Sequence, residues 1–258
     1  MQKITSSDNP RYKEALQLHN ARGRKKQNRI IIFGRREIDR AIAAGVTPDQ
    51  IFVQPESATA GFHDRLIYQL SEALFQRLSY GNRMDDAIMT AQRPATNLDA
   101  LNLQNDALVT VMEAIEKPGN LGGVLRSADG CNTNGVIVAD PLTDVYHPNS
   151  IRNSSGAAFS IPVAVDSNQN VLNKLKSAGM RIMVASPDAQ DNFYDIDLRG
   201  NTAIVLGNEA KGVSAFWKES ADQTFKIPML GVADSLNVSV TAAIVMYESL
   251  RQRNQERR

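Results

Sequence analysis

The sequence has very little cysteine and histidine. Cys131 is the single cysteine among 258 residues, so no disulfide can form within one chain. The three histidines, His19, His63 and His147, are far apart and do not have the spacing of metal ligands. The sequence therefore predicts neither a disulfide framework nor a metal site.

Long apolar runs are absent as well. No stretch reaches the roughly 18 apolar residues that a membrane-spanning helix needs, and the first residues include several charged side chains instead of a signal peptide's apolar core. We therefore expect a soluble, cytoplasmic protein with no membrane partner. A composition of 42% hydrophobic and 22% charged residues is that of a globular protein, with length enough for two domains.

Charge is unevenly distributed, although the net charge is only +1. Residues 1–40 contain eleven Lys or Arg and four Asp or Glu, and residues 251–258 contain four and one, which leaves the middle of the chain acidic. A basic stretch is what nucleic-acid phosphates require, but it is also typical of an ordinary solvated surface. The candidate phosphate-binding residues are Arg22, Arg24, Lys25, Lys26, Arg29, Arg35 and Arg36.

The first third of the sequence predicts a small α/β domain. Its expected elements are a helix over 10–20, a basic loop, a strand over 30–33, a helix over 35–44 and a strand over 50–53. Ser6, Ser7 or Asp8 is the expected N-cap of the first helix. Residues 93–104 contain Pro94 and two Asn without strong periodicity, so we place the domain boundary between residues 95 and 96.

The remainder alternates strands and helices more clearly. The predicted strands lie over 108–115, 135–139, 161–165, 181–185, 202–206 and 224–227, and the predicted helices over 121–132, 149–155, 171–177, 213–219 and 238–251. Such alternation indicates a mostly parallel sheet that is covered by helices.

Polar residues follow a strand at three places. Asn120 precedes a predicted helix as its expected N-cap, and Arg126 lies nearly two turns further on, close to the same face. In the second segment, the apolar strand breaks at Gly207, where backbone can approach a ligand closely, and Glu209 follows on the turn. Sites in open α/β sheets lie at the carboxyl ends of strands.

The third segment runs from Ile227 through Pro228 to a polar Ser-x-Asn-x-Ser pattern, in which Ser235 or Asn237 is the expected N-cap of the last helix. Apolar residues recur along that helix at helical spacing. We expect them in the core, with a subunit interface as the alternative. They are Val240, Ala243, Ile244, Tyr247 and Leu250.

In order and spacing, the three segments resemble the signature motifs of the SpoU/TrmH family of RNA 2′-O-ribose methyltransferases, over roughly Ala107 to Leu250. The motifs are Asn-x5-Arg, Leu-Gly-Asn-Glu-x2-Gly and Ile-Pro-Met-x6-Leu-Asn-Val-Ser-Val. Each segment alone also fits a capped helix or a tight turn, so their joint order carries the resemblance. The first ninety residues resemble, more loosely, the L30e-like RNA-binding domain that precedes the catalytic domain in many members.

The resemblance implies an α/β fold of the SPOUT type in residues 96–258, with a parallel sheet, helices on both faces and a C-terminal trefoil knot. A smaller L30e-like substrate-binding domain over residues 1–95 would precede it. The implied cofactor is S-adenosylmethionine, and the implied assembly is a homodimer. The family positions that hold the cofactor correspond to Leu206, Gly207, Ile227, Met229 and Leu236.

By the same resemblance, the catalytic positions correspond to Asn120, Arg126, Glu209, Ser235 and Asn237. An arginine with a pKa above about 12 stays protonated near pH 7, so we expect Arg126 to grip a phosphate and polarise the ribose hydroxyl. The expected substrate is ribosomal (23S) RNA. The alternatives are a transfer-RNA ribose, a transfer-RNA base, an antibiotic-resistance site on large-subunit RNA, or RNA binding without catalysis.

Overall fold

The computed structural model describes residues 1–55, 57, 59, 61–81 and 85–256, so Arg257 and Arg258 of the basic end lie outside the described residues. The strands are β1 (Gln2–Ile4), β2 (Arg29–Phe33), β3 (Pro48–Val53), β4 (Ile67–Leu70), β5 (Ala87–Gln92), β6 (Leu108–Glu113), β7 (Gly135–Ala139), β8 (Val163–Asp166), β9 (Arg181–Ala185), β10 (Asp191–Asn192), β11 (Thr202–Leu206) and β12 (Gln223–Lys226). The helices are α1 (Pro10–Gln17), α2 (Ala21–Gln27), α3 (Arg35–Ala43), α4 (Glu72–Leu78), α5 (Pro118–Gly130), α6 (Pro148–Asn153), α7 (Asn168–Ser177), α8 (Ala215–Ser220) and α9 (Val238–Glu256). Within these described residues, no helix is long and apolar enough to cross a membrane.

The first compact unit comprises residues 1–95 and 146–160. Its sheet has the order β1-β4-β3-β5-β2, in which β5 runs antiparallel to both of its neighbours. Ile31, Phe52 and Phe75 are fully buried in its core. Its residues 1–95 are the range in which the sequence predicts a small α/β domain.

The segment Tyr146–Ser160 packs with the first unit, although the sequence places it in the second domain. Polar contacts explain the difference. The Arg152 guanidinium donates to the Tyr80 carbonyl oxygen at 3.0 Å and to the buried Asp85 carboxylate at 3.2 Å, and Arg40 donates to the Ser155 carbonyl oxygen at 2.5 Å. A pairing between residues so far apart in the chain leaves no local pattern in the sequence.

The second unit comprises residues 96–145 and the chain from Ile161 onward. Its seven strands are all parallel, in the order β10-β12-β9-β11-β6-β7-β8. The chain moves outward from β6 through β7 to β8, then crosses to β9 on the other side of β6. This confirms the predicted α/β fold with a parallel sheet and helices, while the C-terminal trefoil knot stays a prediction.

The last helix, α9, packs on α5 and reaches the core through a different face from the predicted one. Val238, Ala242, Val245 and Met246 are buried, whereas Val240 and Tyr247 are about half exposed. Ala243, Ile244 and Leu250 are partly buried. The core prediction was therefore wrong for this helix, because its sequence is apolar on both faces and periodicity alone does not choose between them.

The C-terminal half of α9 is fastened by a buried arginine. The Arg253 guanidinium donates to the carbonyl oxygens of Leu198 and Gly200 at 3.0 and 2.7 Å, and to the Asp106 carboxylate at 2.6 Å. Ser249, one turn earlier, donates to the Leu198 carbonyl oxygen at 3.0 Å.

Two local predictions in the first unit were wrong. The predicted basic loop after α1 is helix α2, because the Asn20 side chain caps it by accepting from the Gly23 N–H at 2.7 Å, and Asn28 ends it in a left-handed conformation. The cap of α1 is Asn9, whose side chain accepts from the backbone N–H groups of the first turn. Asn caps a helix as well as Ser or Asp does. Asn9 directly precedes Pro10, the first residue of α1, so Asn9 rather than Ser6, Ser7 or Asp8 is the cap.

Candidate active site

The candidate site lies at the carboxyl edge of the seven-stranded sheet, where the turns after β6, β11 and β12 meet. Because every strand of this sheet is parallel, those three ends share one edge. The strand order also changes direction beside β6, and ligand sites in such sheets sit where the order reverses. The fold thus brings together three segments that lie far apart in the sequence.

A cleft of about 340 Å³ opens at this edge, within the usual size range of small-molecule sites. Strand ends and the loops that follow β9, β11 and β12 form its walls. All five residues predicted to hold the cofactor line it, together with Glu209 and Ser235. These cofactor candidates are Leu206, Gly207, Ile227, Met229 and Leu236.

Gly207 is required by its own loop. A Cβ atom at this position would come within 2.3 Å of the backbone of Gly212 and Val213, so no other residue fits without moving that loop. The close approach that the sequence predicts at Gly207 is therefore to neighbouring backbone, and the residue lines the cleft at the same time.

A chain of three hydrogen-bonded polar side chains begins at Glu209, which lines the cleft. The Asn120 amide donates to the Glu209 carboxylate, and the Asn237 amide donates to the Asn120 side-chain oxygen at 3.2 Å. The Asn237 side-chain oxygen in turn accepts from the N–H and hydroxyl groups of Ser239 at 2.9 and 2.7 Å. Both ends of the Asn120 amide are thereby oriented.

These contacts decide which residue caps each helix. Asn237 is the N-cap of α9, as one of the two expected alternatives, whereas Ser235 is exposed on the preceding loop. Asn120 is not a cap, because α5 already begins at Pro118. Its amide is instead engaged by Glu209 and Asn237.

Arg126 stands apart from this cluster. It is exposed on α5, and its side chain has no hydrogen bond or ion pair with any other residue in the described part of the chain. Six residues correspond to about 1.7 helical turns, so Arg126 leaves α5 on a different face from Asn120, and the prediction that the two share a face was wrong. The structure therefore joins three of the five predicted catalytic residues, Asn120, Glu209 and Asn237, by hydrogen bonds. Ser235 lines the cleft with Glu209, whereas Arg126 is left free to contact something outside this chain.

Two polar residues of this edge were missed by the sequence reasoning. Glu113 ends β6 with a buried side chain, and Asn208 is buried beside Glu209. Their hydrogen bonds join the turns of the site. A lone glutamate at a strand end carries no distinctive pattern, whereas Asn208 stands within the second motif and could have been singled out there.

Cys131, which follows α5, is not a candidate nucleophile. The thiol is buried, and burial raises its pKa to about 11, against a smaller lowering by its hydrogen bond with Tyr247. No cluster of three or more His, Cys, Asp or Glu suited to a metal ion occurs in the described ranges of the chain.

The predicted phosphate-binding residues of the first unit differ in their surroundings. Arg22, Lys25 and Lys26 are exposed on α2. Arg24 is fully buried and donates to the carbonyl oxygens of Leu18 and His19 at the end of α1, both at 3.0 Å. Arg24 therefore has a structural role, and its assignment as a phosphate contact was wrong.

The other three arginines are paired with acidic residues. The largely buried Arg29 contacts Asp49 at 3.0 Å, and Arg35 contacts Asp39 at 2.7 Å. Arg36 contacts the buried carboxylate of Glu37 at 2.5 Å while its own side chain remains half exposed. Arg36 retains the most accessible guanidinium of the three.

Two family matches cover these two units. Residues 107–247 match the SpoU rRNA Methylase family, and residues 9–88 match the MRM3-like substrate binding domain. The chain belongs to the SpoU rRNA methylase family. Its three polar turns are thus the motifs of a SpoU domain, and its first unit corresponds to a substrate-binding domain.

Two relatives of this SpoU protein illustrate the similarity. This chain is 36% identical over 174 residues to the 23S rRNA (uridine(2479)-2′-O)-methyltransferase of Streptomyces viridochromogenes. The match covers 65% of this chain and 61% of that protein. The chain is 27% identical to the 23S rRNA (guanosine(2553)-2′-O)-methyltransferase RlmP of Bacillus subtilis, with 96% of this chain and 98% of that protein covered.

Solved structures share the fold over nearly the whole SpoU chain. A crystal structure of an RNA 2′-O ribose methyltransferase is 38% identical with a TM-score of 0.85, and covers 97% of this chain and 99% of its own. The SpoU methyltransferase AviRb from Streptomyces viridochromogenes, in complex with the cofactor AdoMet, is 26% identical with a TM-score of 0.86, and covers 96% and 100%.

Proposed function

We propose that this protein transfers a methyl group from S-adenosylmethionine to a ribose 2′-hydroxyl of ribosomal RNA, with 23S RNA as the substrate. The observation that carries the proposal is the hydrogen-bonded chain Asn237–Asn120–Glu209, which reaches the cleft through Glu209. Membership of the SpoU family and relatives named as 23S rRNA 2′-O-methyltransferases support it.

The residues of the cleft fit the cofactor. Leu206, Ile227, Met229 and Leu236 offer apolar walls for an adenosyl group, and the strand-end loops offer backbone hydrogen-bonding groups. Apolar walls with a few placed polar groups are the usual composition of a small-molecule site. When bound, S-adenosylmethionine supplies an electrophilic methyl group on a sulfonium.

The protein's own residues would position the substrate and ease the loss of the hydroxyl proton. The exposed Arg126 guanidinium can grip an RNA phosphate with its planar fork and polarise the neighbouring 2′-hydroxyl. Glu209 holds the Asn120 amide, which can then orient the ribose. Positioning of two reactants can itself supply several kcal/mol of the rate acceleration.

A second copy of the chain would complete the assembly. Val240 and Tyr247 leave apolar surface exposed on the outer side of α9, and Leu230 and Val232 are fully exposed on the loop beside the cleft. Apolar surface of this kind, rimmed by polar residues, is typical of protein interfaces. We propose that it forms a homodimer interface near the two active sites.

The test is to supply labelled S-adenosylmethionine with ribosomal RNA, ribosomal subunits and bulk transfer RNA in parallel. Label should enter ribosomal RNA and make the adjoining phosphodiester bond resistant to alkali, because a 2′-O-methyl group blocks the attack of the ribose oxygen. Label on transfer RNA alone would move the substrate assignment, and label on a base would overturn the ribose assignment.

Replacing Arg126 separates its role from cofactor binding. Arg126→Ala should lower methyl transfer by at least about 100-fold, the usual cost of removing a charge-stabilising donor, while S-adenosylmethionine binding stays nearly intact. Arg126→Lys should also be poor, because a point charge does not reproduce the fork. Arg251→Ala, an exposed arginine on α9, is the control; activity retained in Arg126→Ala would refute the role.

A further inference from the structure

The loop over residues 207–214 forms one wall of the cleft and carries Glu209. We infer that Glu113 and Asn208 are positioning residues, which hold this loop in shape and set Glu209 against Asn120. The inference rests on the proposed function, since the loop matters through the cofactor and the Asn120 amide that it serves.

Glu113 anchors the end of the loop. Its carboxylate accepts from the Ser214 N–H at 2.8 Å and from the Ser214 hydroxyl at 2.5 Å, at the point where α8 begins. It also accepts from the Asn168 amide at 3.1 Å, and Asn168 in turn accepts from the indole N–H of the fully buried Trp217 at 2.8 Å. The carboxylate thereby joins the N-termini of α7 and α8 to the end of β6.

The Glu113 side chain is only 4% exposed, and within the described ranges it forms no ion pair. A buried carboxylate without donors would be costly, so its three neutral donors hold it in one place. A group satisfied in this way is rigid. It fixes Ser214, and with it the end of the loop.

Asn208 anchors the start of the loop. Its side-chain amide donates to the Ala114 carbonyl oxygen at 3.0 Å, while its side-chain oxygen accepts from the N–H groups of Ala210 and Lys211 at 2.8 and 3.2 Å. Its backbone carbonyl accepts from the Gly212 N–H at 2.8 Å. One side chain therefore closes the loop on itself and ties it to a second segment.

Both anchors reach the same turn. Glu113 and Ala114 are consecutive residues, and Ala114 adopts a left-handed conformation with φ of 48°. That turn leads directly into α5, which carries Asn120. The loop that bears Glu209 is therefore bound at its start and its end to the segment that bears Glu209's hydrogen-bond partner, and the distance between the two side chains is set by these anchors.

Two near-isosteric substitutions break the anchors separately. Asn208→Asp keeps the oxygen that accepts from Ala210 and Lys211 but loses the donor to Ala114. Glu113→Gln replaces one acceptor oxygen by an amino group that faces existing donors. Arg253→Lys is the matched control, because it weakens a buried hydrogen-bond network on α9 that has no contact with the loop.

The measurements are S-adenosylmethionine binding by calorimetry, backbone hydrogen exchange over residues 207–214 without ligand, and single-turnover methyl transfer to ribosomal RNA with saturating cofactor. Each loop variant should raise the Kd by about tenfold, as expected for one lost buried hydrogen bond, and should speed exchange in the loop. Methyl transfer should fall further, because Glu209 no longer fixes Asn120. Arg253→Lys should lower the melting temperature and leave Kd and loop exchange unchanged.

A second comparison tests whether the Glu113 effect passes through the loop. Ser214→Ala removes one donor to Glu113, so the double variant Glu113→Gln with Ser214→Ala should be no worse than Glu113→Gln alone, as for residues in one network. Additive losses would overturn the proposed route. The inference as a whole would be overturned if both loop variants kept the wild-type rate of hydrogen exchange and the wild-type Kd. It would also be overturned if Arg253→Lys changed these quantities as much as the loop variants do.

The outcomes distinguish a failure of the proposed function from a failure of the positioning roles of Glu113 and Asn208. If wild-type protein binds S-adenosylmethionine but methylates none of the RNAs, the function is refuted while the Kd still tests the positioning roles. If wild-type protein does not bind the cofactor, both fall. If it methylates RNA and the loop variants behave as wild type, only the positioning inference falls.

Discussion

Thr110 lies in the middle of β6, between Val136 of β7 and Ile204 of β11. Its side chain is fully buried, and its hydroxyl has no hydrogen-bond partner within the described part of the chain. A buried hydroxyl that makes no hydrogen bond loses its hydration without compensation. The cost falls on β6, an interior strand of the sheet that also ends in Glu113.

We predict that Thr110→Val raises the free energy of unfolding by about 1 kcal/mol, because valine keeps the shape and removes the unsatisfied hydroxyl. Urea unfolding measures it. Thr202→Val is the control. The buried Thr202 hydroxyl donates to the Arg199 carbonyl oxygen at 3.0 Å, so its removal should lower the free energy of unfolding. Stabilisation by both substitutions, or by neither, would contradict the argument.

Sequence reasoning at the level of single residues succeeded where chemistry and position coincide. The motif residues Asn120, Glu209 and Asn237 lie after strands whose carboxyl ends share one edge, so their meeting could be foreseen. Arg24 and Glu113 could not. Whether a charged residue faces solvent or satisfies buried backbone depends on contacts that its neighbours in sequence do not determine.

At the scale of elements, α9 has apolar residues on two faces, one buried and one exposed. The inner face is buried through Val238, Ala242, Val245 and Met246 and is fastened by Arg253, and the outer face carries exposed Val240 and Tyr247. A helix with apolar residues on both sides is buried on both sides or awaits a partner. Periodicity predicted the helix itself, and only the packing on α5 shows which face is internal.

Arg253 and Arg251 offer a matched pair on the same helix. We predict that Arg253→Ala lowers the free energy of unfolding by about 3 kcal/mol, because it leaves buried carbonyl oxygens and the Asp106 carboxylate without their donor. Among the described residues, Arg251 forms its hydrogen bonds and ion pair with Glu248, and its side chain is half exposed, so Arg251→Ala should change stability by less than about 0.5 kcal/mol. Chemical denaturation compares them, and similar losses would exclude a special role for Arg253.

The outer face predicts a defined effect on self-association. Val240→Glu places a charge in the proposed homodimer interface. It should not destabilise α9 itself, because a negative side chain in the first turn of a helix interacts favourably with the helix dipole. We therefore expect sedimentation velocity to show a shift from dimer towards monomer, with the melting profile at low concentration unchanged. Asn254→Glu, exposed near the other end of α9, should leave the assembly intact. A monomeric wild-type protein would refute the proposed dimer.

At the scale of the whole molecule, the basic residues of the N-terminal region fall into two groups: those that form contacts within the first unit and those whose side chains are exposed. Arg24 and Arg29 are held by backbone oxygens and carboxylates of the first unit, whereas Arg22, Lys25 and Lys26 remain exposed on α2. An uncommitted positive charge can displace counterions from a phosphate backbone. Of these five residues, only the exposed three are therefore expected to contribute to RNA affinity.

This division can be measured through the salt dependence of binding. The double variant Lys25→Ala with Lys26→Ala should weaken binding of ribosomal RNA fragments and reduce the slope of log Kd against log salt concentration by about 2, one for each lost phosphate contact. Its melting temperature should stay at the wild-type value, because neither lysine is buried.

The control removes the same charge elsewhere: Lys174→Ala with Lys176→Ala on α7 should leave the slope unchanged. If both pairs lower the slope equally, net charge alone governs RNA binding and α2 is not a contact surface. If neither does, the phosphates are held by other residues, of which the half-exposed Arg36 is the next to test. Arg24→Ala, in contrast, should lose RNA binding only together with the fold of the first unit, since it removes the donors that close the end of α1.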